Sequence, residues 1–207
     1  DKLNYNKILN RENISNKIID ILHHFNNNKN DLSIKRGIYI YGESGSGKTF
    51  FINNLLRKLN YDIIYFDSSD SRNKSILDII TKYNMGTSNI LSLFKKEKRN
   101  IAIIMDEIDG MNNGDKGGIN SLIKLIRPKK TKKQKAEEIT NNIIICICNY
   151  QVDKKIKELM KICYSFELKS PTDNEIKEII KNQIPQLYND KELIEHSINY
   201  CNNNLRK

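Results

Sequence analysis

The 207-residue sequence predicts an α/β fold built on a buried parallel sheet, and three observations carry that expectation. First, five short apolar runs, at 37–41, 63–67, 101–105, 143–148 and 164–168, alternate with segments of helical spacing. Near-continuous apolar runs belong to strands covered on both faces, and strands alternating with helices give a three-layer α/β/α sandwich. Second, residues 42–49 read Gly-Glu-Ser-Gly-Ser-Gly-Lys-Thr, the G-x-x-x-x-G-K-T pattern, placed between the first run and a helix-compatible stretch at 50–59. That strand–loop–helix setting is what a phosphate-binding P-loop requires. Third, the run at 101–105 ends directly on Asp106-Glu107, two carboxylates at a strand tip.

In chain order, residues 1–30 form a helical segment with an apolar stripe of Ile14, Ile18, Ile21, Leu22 and Phe25, closed by the polar run at 26–30. It is expected to pack beside the nucleotide pocket where an adenine would sit, with His23 and His24 facing solvent. In the P-loop, Gly42, Gly45 and Gly47 let the backbone curl and turn its N–H groups inward, and Glu43, Ser44, Ser46 and Phe50 complete the phosphate-binding set. The positive end of the following helix adds to the attraction. Lys48 is expected to reach the β- and γ-phosphates, and the Thr49 hydroxyl to coordinate Mg²⁺.

The second strand leads through the turn at 68–72 to an amphipathic helix carrying Ile76, Leu77, Ile79 and Ile80. After a break at 86–88, a second helix carries Ile90, Leu91, Leu93 and Phe94, with Ser88 as its cap and a basic end at 95–99. The third strand delivers Asp106, expected to hold Mg²⁺ through its water shell, and Glu107, expected to polarise an attacking water. Two merely solvated carboxylates at a strand end are the alternative. A polar loop at 112–118 precedes a helix with Ile119, Leu122, Ile123 and Ile126 on one face, stopped by Pro128. The charged excursion at 129–138 reads as a solvated loop or helix extension, with DNA contact or a targeting signal as the other options. The fourth strand ends at Asn149, whose side chain at the tip can reach the γ-phosphate or the attacking water. Pro171 and Thr172 mark a boundary: residues 1–170 form the nucleotide-binding domain, and 171–207 begin a helical lid with Ile176, Ile179 and Ile180 in one helix and Leu193, Ile194 and Ile198 in another.

The formal charge of +10 favours a polyanionic partner, nucleic acid first. The chain is also rich in Lys, Asn and Ile throughout, as an AT-rich genome encodes, and such drift raises charge without making a site. Four cysteines without a C-x-x-C pair or a nearby His cluster read as buried free thiols, and Cys146 and Cys148 are expected on opposite faces of their strand. No apolar run approaches the length of a membrane span, so no membrane partner is expected. The N-terminus has no signal-peptide pattern, and a start without Met fits an excised piece.

Several stretches together resemble one family. Residues 105–111, Met-Asp-Glu-Ile-Asp-Gly-Met, then Gly117-Gly118-Ile119 leading to Leu122-Ile123, then residues 144–149, Ile-Ile-Cys-Ile-Cys-Asn, are similar to the AAA+ module of the replication factor C large subunit, part of the eukaryotic sliding-clamp loader. Phe66-Asp67-Ser68-Ser69-Asp70-Ser71-Arg72 looks like that family's strand 2 signature, and residues 201–206 look like its sensor 2 segment. The resemblance runs from about residue 35 to the end. It implies a RecA-like sheet of order 5-1-4-3-2 under a three-helix lid, here truncated, with Asn149 as sensor 1 and Arg206 as sensor 2. It implies ATP and Mg²⁺ as ligands, and a heteropentamer with other clamp-loader subunits that opens a sliding clamp and places it on primer–template DNA. Arg72, Lys74 and Lys116, near helix starts, are the implied DNA contacts. The setting would be nuclear, or a cytoplasmic replication site were the chain viral.

Departures from the family pattern are equally specific. The small subunits' Ser-Arg-Cys finger has no counterpart in Met160-Lys161-Ile162-Cys163-Tyr164, which fits a large subunit and implies a finger supplied by a neighbour and weak turnover alone. The usual Gly-Asp before the sensor 2 Arg is Asn203-Asn204, and the stretch at 129–141 is longer than the family's connection. Other readings stay open: an alternative clamp loader or checkpoint loader, an initiator-type ATPase or viral packaging helper, or a switch that binds ATP without turning it over.

Overall fold

The computed structural model describes residues 5–67, 99–113, 118–137, 139–150, 153–185 and 191–206. Five strands form one sheet: β1 (Gly37–Tyr41), β2 (Asp62–Phe66), β3 (Ile101–Met105), β4 (Ile143–Cys148) and β5 (Tyr164–Glu167). Every pairing is parallel and the order is β2-β3-β4-β1-β5, the 5-1-4-3-2 arrangement. Each expected strand is present, with β2 beginning one residue earlier because Asp62 pairs with Ile101.

Burial on both faces explains why the central runs are apolar without alternation. Ile38, Ile40, Ala102, Ile104, Ile143, Ile145 and Ile147 point to one face and pack with α2 (Glu12–Asn27) and α3 (Lys48–Lys58) through Ile18, Leu22, Phe25, Ile52 and Leu56. Tyr39, Ile103, Met105, Ile144, Cys146 and Cys148 point to the other. There they meet α4 (Gly118–Ile126) and α6 (Lys154–Ile162) through Leu122, Ile126, Ile156 and Leu159. The expectation that Cys146 and Cys148 face opposite sides is therefore corrected. Residues two apart on a strand share a face, and both thiols lie in the same core as Cys163.

The N-terminal helical segment is two helices rather than one. A four-residue α1 (Tyr5–Ile8) is separated from α2 by Asn10, whose φ of +52° is left-handed, while the Arg11 N–H closes the turn onto the Asn6 carbonyl at 2.7 Å. Asparagine tolerates that conformation better than most residues. His23 and His24 are exposed, as expected. Just before β1, the fully buried Arg36 guanidinium donates to the carbonyls of Thr140, Lys29 and Asp31 at 2.7–2.9 Å, tying the loops at the amino edge of the sheet together.

Residues 129–138 are not simply a solvated loop. They contain a short helix, α5 (Lys132–Lys135), and Lys129 is buried. After β5, Thr172 caps α7 (Asp173–Gln183) in a reciprocal capping box with Glu175, and α8 (Lys191–Cys201) follows. No described helix is long and apolar enough to cross a membrane. The helices expected at 76–80 and 90–94 lie outside the described residues.

Candidate functional site: a nucleotide cleft at the carboxyl edge of the sheet

In a parallel sheet all strand ends of one kind lie together, so Tyr41, Met105 and Cys148 bring the P-loop, Asp106-Glu107 and Asn149 to one edge, around β4 between β1 and β3. Ligands in open α/β sheets bind outside these carboxyl ends. There a cleft of about 1150 Å³ opens between the sheet edge, α1, α7 and the C-terminal turn at Leu205-Arg206. Ser44, Gly45, Gly47, Lys48, Thr49, Phe50, Asp106, Glu107, Asn149 and Arg206 all line it.

Gly42, Glu43 and Ser46, expected among the phosphate contacts, do not line the cleft and act from behind it. The Lys48 ammonium donates to the carbonyls of Gly42 at 3.0 Å and Glu43 at 2.7 Å, while the Glu43 carboxylate accepts from the Ser170 hydroxyl. Gly42 has no room for a side chain, since a Cβ would stand 2.1 Å from the Leu168 carbonyl oxygen. Gly45, at φ +82°, lies under the C-terminal turn: the Leu205 N–H donates to its carbonyl at 2.9 Å, and the Asn204 side chain occupies the space a Cβ would need.

The polar side chains are already wired to one another. Lys48 donates to the Asn149 side-chain oxygen at 3.1 Å, and the Asn149 amide reaches Asp109 at 3.4 Å. Burial lowers the pKa of Lys48, and the nearby Asp106 charge opposes that shift. The Thr49 hydroxyl donates to Asp106 Oδ2 at 2.7 Å, and the Tyr65 hydroxyl donates to the same oxygen at 2.6 Å. Desolvation, then the bond to Asp106, raises the Tyr65 pKa. The Glu107 backbone N–H holds Asp106 Oδ1 at 2.9 Å, and Glu107 itself sits at φ +51°, a strained backbone that redirects the chain out of β3.

Sequence reasoning missed two groups here. Tyr65, on β2, orients the Asp106 carboxylate from the neighbouring strand. Arg11, only 5% exposed, donates to the Ser46 carbonyl at 2.6 Å and the Lys169 carbonyl at 3.2 Å, pinning the P-loop to the chain that leaves β5. Burial lowers its pKa, and Glu175 opposes that shift. Neither had a sequence signal, because the contacts join segments far apart in the chain. The expectation that the N-terminal segment lies beside the cleft holds: Tyr5, Asn6 and Leu9 line it, and the Tyr5 ring meets Phe50 edge-on at 5.7 Å. Tyr5 also accepts from Gln183 of α7. Arg72, Lys74 and Lys116 lie outside the described residues. The described residues contain no cluster of three or more His, Cys, Asp or Glu suited to a metal.

The donor set fits a nucleoside triphosphate with Mg²⁺. A Gly-rich turn opens an eleven-residue helix into the cleft, with the Lys48 ammonium and Arg206 at its wall. The Thr49 and Asp106 oxygens, already within 2.7 Å, are the hard ligands Mg²⁺ prefers. Among the described residues, buried Ser46 Oγ and Asp109 Oδ1 have no hydrogen-bond partner.

Such a cleft, on such a sheet, defines the class: a P-loop nucleotide-binding protein. Residues 38–170 match the model of the ATPase family associated with various cellular activities (AAA), and the chain belongs to that family. It is 30% identical over 156 residues to replication factor C subunit 1 of Saccharomyces cerevisiae and 31% identical over 155 residues to that of Homo sapiens, each match covering 72% of this chain. It is 29% identical over 177 residues, 85% of its length, to the replication factor C large subunit of Methanococcus aeolicus. The matches span 17%, 12% and 32% of those relatives' own lengths.

Proposed function

We propose that this chain is the ATPase module of a clamp-loader large subunit, which binds and hydrolyses ATP with Mg²⁺ to open a sliding clamp and load it on primer–template DNA. Residues 1–170 would be the ATPase domain and 171–207 the start of a helical lid. The observation that supports the reading most is the agreement of relatives from yeast, human and an archaeon, each named a replication factor C large subunit or subunit 1. The lack of arginine at 160–164 favours a large subunit that borrows its finger.

Within this reading the chain's residues take distinct roles. Lys48 would leave the Gly42 and Glu43 carbonyls for the β- and γ-phosphates while keeping contact with Asn149, so that Asn149 registers the γ-phosphate. Thr49 and Asp106 would hold Mg²⁺, which neutralises charge on the phosphate oxygens. Glu107 would orient and polarise the attacking water. Arg206 would meet the γ-phosphate from the lid side, and Tyr5, Asn6 and Leu9 would border the base. The partners would be the other loader subunits, the clamp and primed DNA, in a nuclear setting.

The test is ATP turnover by the full-length protein, alone and with small subunits, clamp and primed DNA, with Glu107→Gln as control. Stimulation requiring subunits, clamp and primed DNA together, lost in Glu107→Gln, is expected. Robust turnover by the protein alone, indifferent to clamp and DNA, would overturn the clamp-loader role and leave a self-sufficient ATPase.

A further inference from the structure

The excursion at 127–138 carries six cations against two carboxylates, Glu137 and Glu138, and the nucleotide site uses none of the cations. How the fold spends Glu137 is informative. Arg127 donates to both Glu137 oxygens, at 2.5 and 2.7 Å from one terminal nitrogen, and Lys129 donates to Glu137 at 3.1 Å. Lys129 is buried, donates also to the Lys124 carbonyl at 2.6 Å, and through its backbone N–H to the Leu32 carbonyl at 2.7 Å. Glu137 is thus consumed in fastening the two ends of the excursion to each other and to the body of the domain. Between the ends, Thr131 and Gln134 form a reciprocal capping box, and the Lys130 N–H donates to the Gln134 side-chain oxygen at 2.9 Å. A four-residue helix is far below the length that holds itself in water, so this one stands because it is fastened.

Four lysines remain: Lys130, Lys132, Lys133 and Lys135, all exposed. Among the described residues none has an ion-pair partner. Packing like charges onto one turn costs energy, and a surface evolving only for solubility would intersperse the two signs. We propose that this fastened turn is a second polyanion site, binding the sugar–phosphate backbone of duplex DNA independently of sequence.

Two observations select a nucleic-acid backbone over an acidic protein or an anionic membrane. Among the described residues of 127–140 no large apolar side chain is exposed, so the turn offers neither an anchor for a protein interface nor a wedge for a bilayer. Spaced ammonium groups alone suffice for phosphates, where each contact releases a condensed counterion. The location is distinct from the nucleotide cleft. The turn leads into the amino end of β4, and the cleft lies at its carboxyl end, six residues or roughly 20 Å away. The site adds to the ATPase reading and does not depend on it.

The test uses the full-length protein and a fluorescent 30-base-pair duplex of arbitrary sequence, titrated by anisotropy at several salt concentrations. A variant with Lys130, Lys132, Lys133 and Lys135 all changed to Gln is compared with one of equal net charge changed at Lys17, Lys154, Lys157 and Lys177. The first is expected to bind at least about tenfold more weakly near 0.1 M salt, with a log–log salt slope smaller by about two to four, since each lost phosphate contact removes about 0.9. The control variant is expected to bind like the parent. Binding of a fluorescent ATP analogue reports the cleft separately and is expected to be unchanged in both. Unchanged duplex binding in the first variant, or equal loss in the two, would overturn the proposal. So would competition by poly-glutamate as effective, per charge, as competition by unlabelled duplex. A second variant, Thr131→Ala with Gln134→Ala, keeps every charge but removes the capping box; it is expected to lose affinity by a few-fold, and unchanged affinity would refute the need for a fastened turn.

Discussion

Replacing Arg11 with methionine keeps most of the side chain's volume and removes its charge and both hydrogen bonds. Those bonds, to the Ser46 and Lys169 carbonyls, are a direct polar link between the N-terminal segment, the P-loop and the chain leaving β5. A hydrogen bond from a charged donor contributes about 1.5–3 kcal/mol, and the 3.2 Å contact belongs at the weak end. Against that loss, the substitution relieves the desolvation of a guanidinium that is 5% exposed, which by itself favours the variant. The net expectation is a destabilisation of about 2 kcal/mol, or roughly 4–8 °C in Tm for a chain of this size. Because Ser46 lies inside the phosphate loop, its released peptide also disorders the N–H groups beside it. Nucleotide affinity is expected to fall about tenfold, equivalent to 1.4 kcal/mol. Thermal melting and titration with a fluorescent ATP analogue measure the two effects. Arg11→Lys separates charge from reach: both bonds leave one terminal nitrogen, and the shorter lysine side chain carries its ammonium less far, so it should recover only part of the affinity. A Met variant that melts within about 1 °C of the parent and binds nucleotide equally well would refute the argument that this side chain holds the loop.

Three further outcomes are expected. The hydrogen bond from Arg127 is the main cause holding the Glu137 carboxyl at about 2, below its ordinary 4.5. A depressed carboxylate stabilises fully above its ordinary pKa and loses that contribution as pH falls from about 4.5 towards 2. The urea-midpoint gap between the parent and Glu137→Gln should therefore be constant near neutrality and close below about pH 4.5; a gap that widens on acidification would contradict this. Tyr65→Phe removes one donor from Asp106 and should weaken Mg²⁺-dependent nucleotide binding by a few-fold while leaving metal-free binding unchanged, as calorimetry with and without chelator would reveal. Gly45→Ala places a methyl 2.0 Å from Asn204 Oδ1 at a φ of +82°, and should expel the C-terminal turn. Hydrogen exchange at the Leu205 N–H, which donates to Gly45, should then lose its protection.

The sheet was legible in the chain because burial on two faces leaves an unmistakable mark. Runs such as Ile101–Met105 and Ile143–Cys148 have no polar break, and a parallel topology follows from the helical segments between them. Lys48, Thr49 and Asp106 were legible for a related reason: phosphate and metal chemistry restrict both residue type and spacing, and the motif carries its own strand–turn–helix context. Cys146 and Cys148 were misassigned despite a clear strand, since a period of two places them on one face. The N-terminal break at Asn10 carries no Gly or Pro to mark it, since the asparagine itself takes up the left-handed turn.

What the sequence by itself determined, then, is the class of fold and the phosphate-binding chemistry, both written in local pattern. What the tertiary structure alone decided is which distant groups serve that chemistry. Arg11 beneath Ser46, Tyr65 against Asp106 and Asn204 over Gly45 are all meetings of polar groups, as is, away from the cleft, Glu137 clasping Arg127 and Lys129. Such contacts impose no periodicity on the chain. A hydrophobic face must repeat along its element to be buried, whereas a single hydrogen bond needs only one residue in the right place, and only folding fixes where that place is.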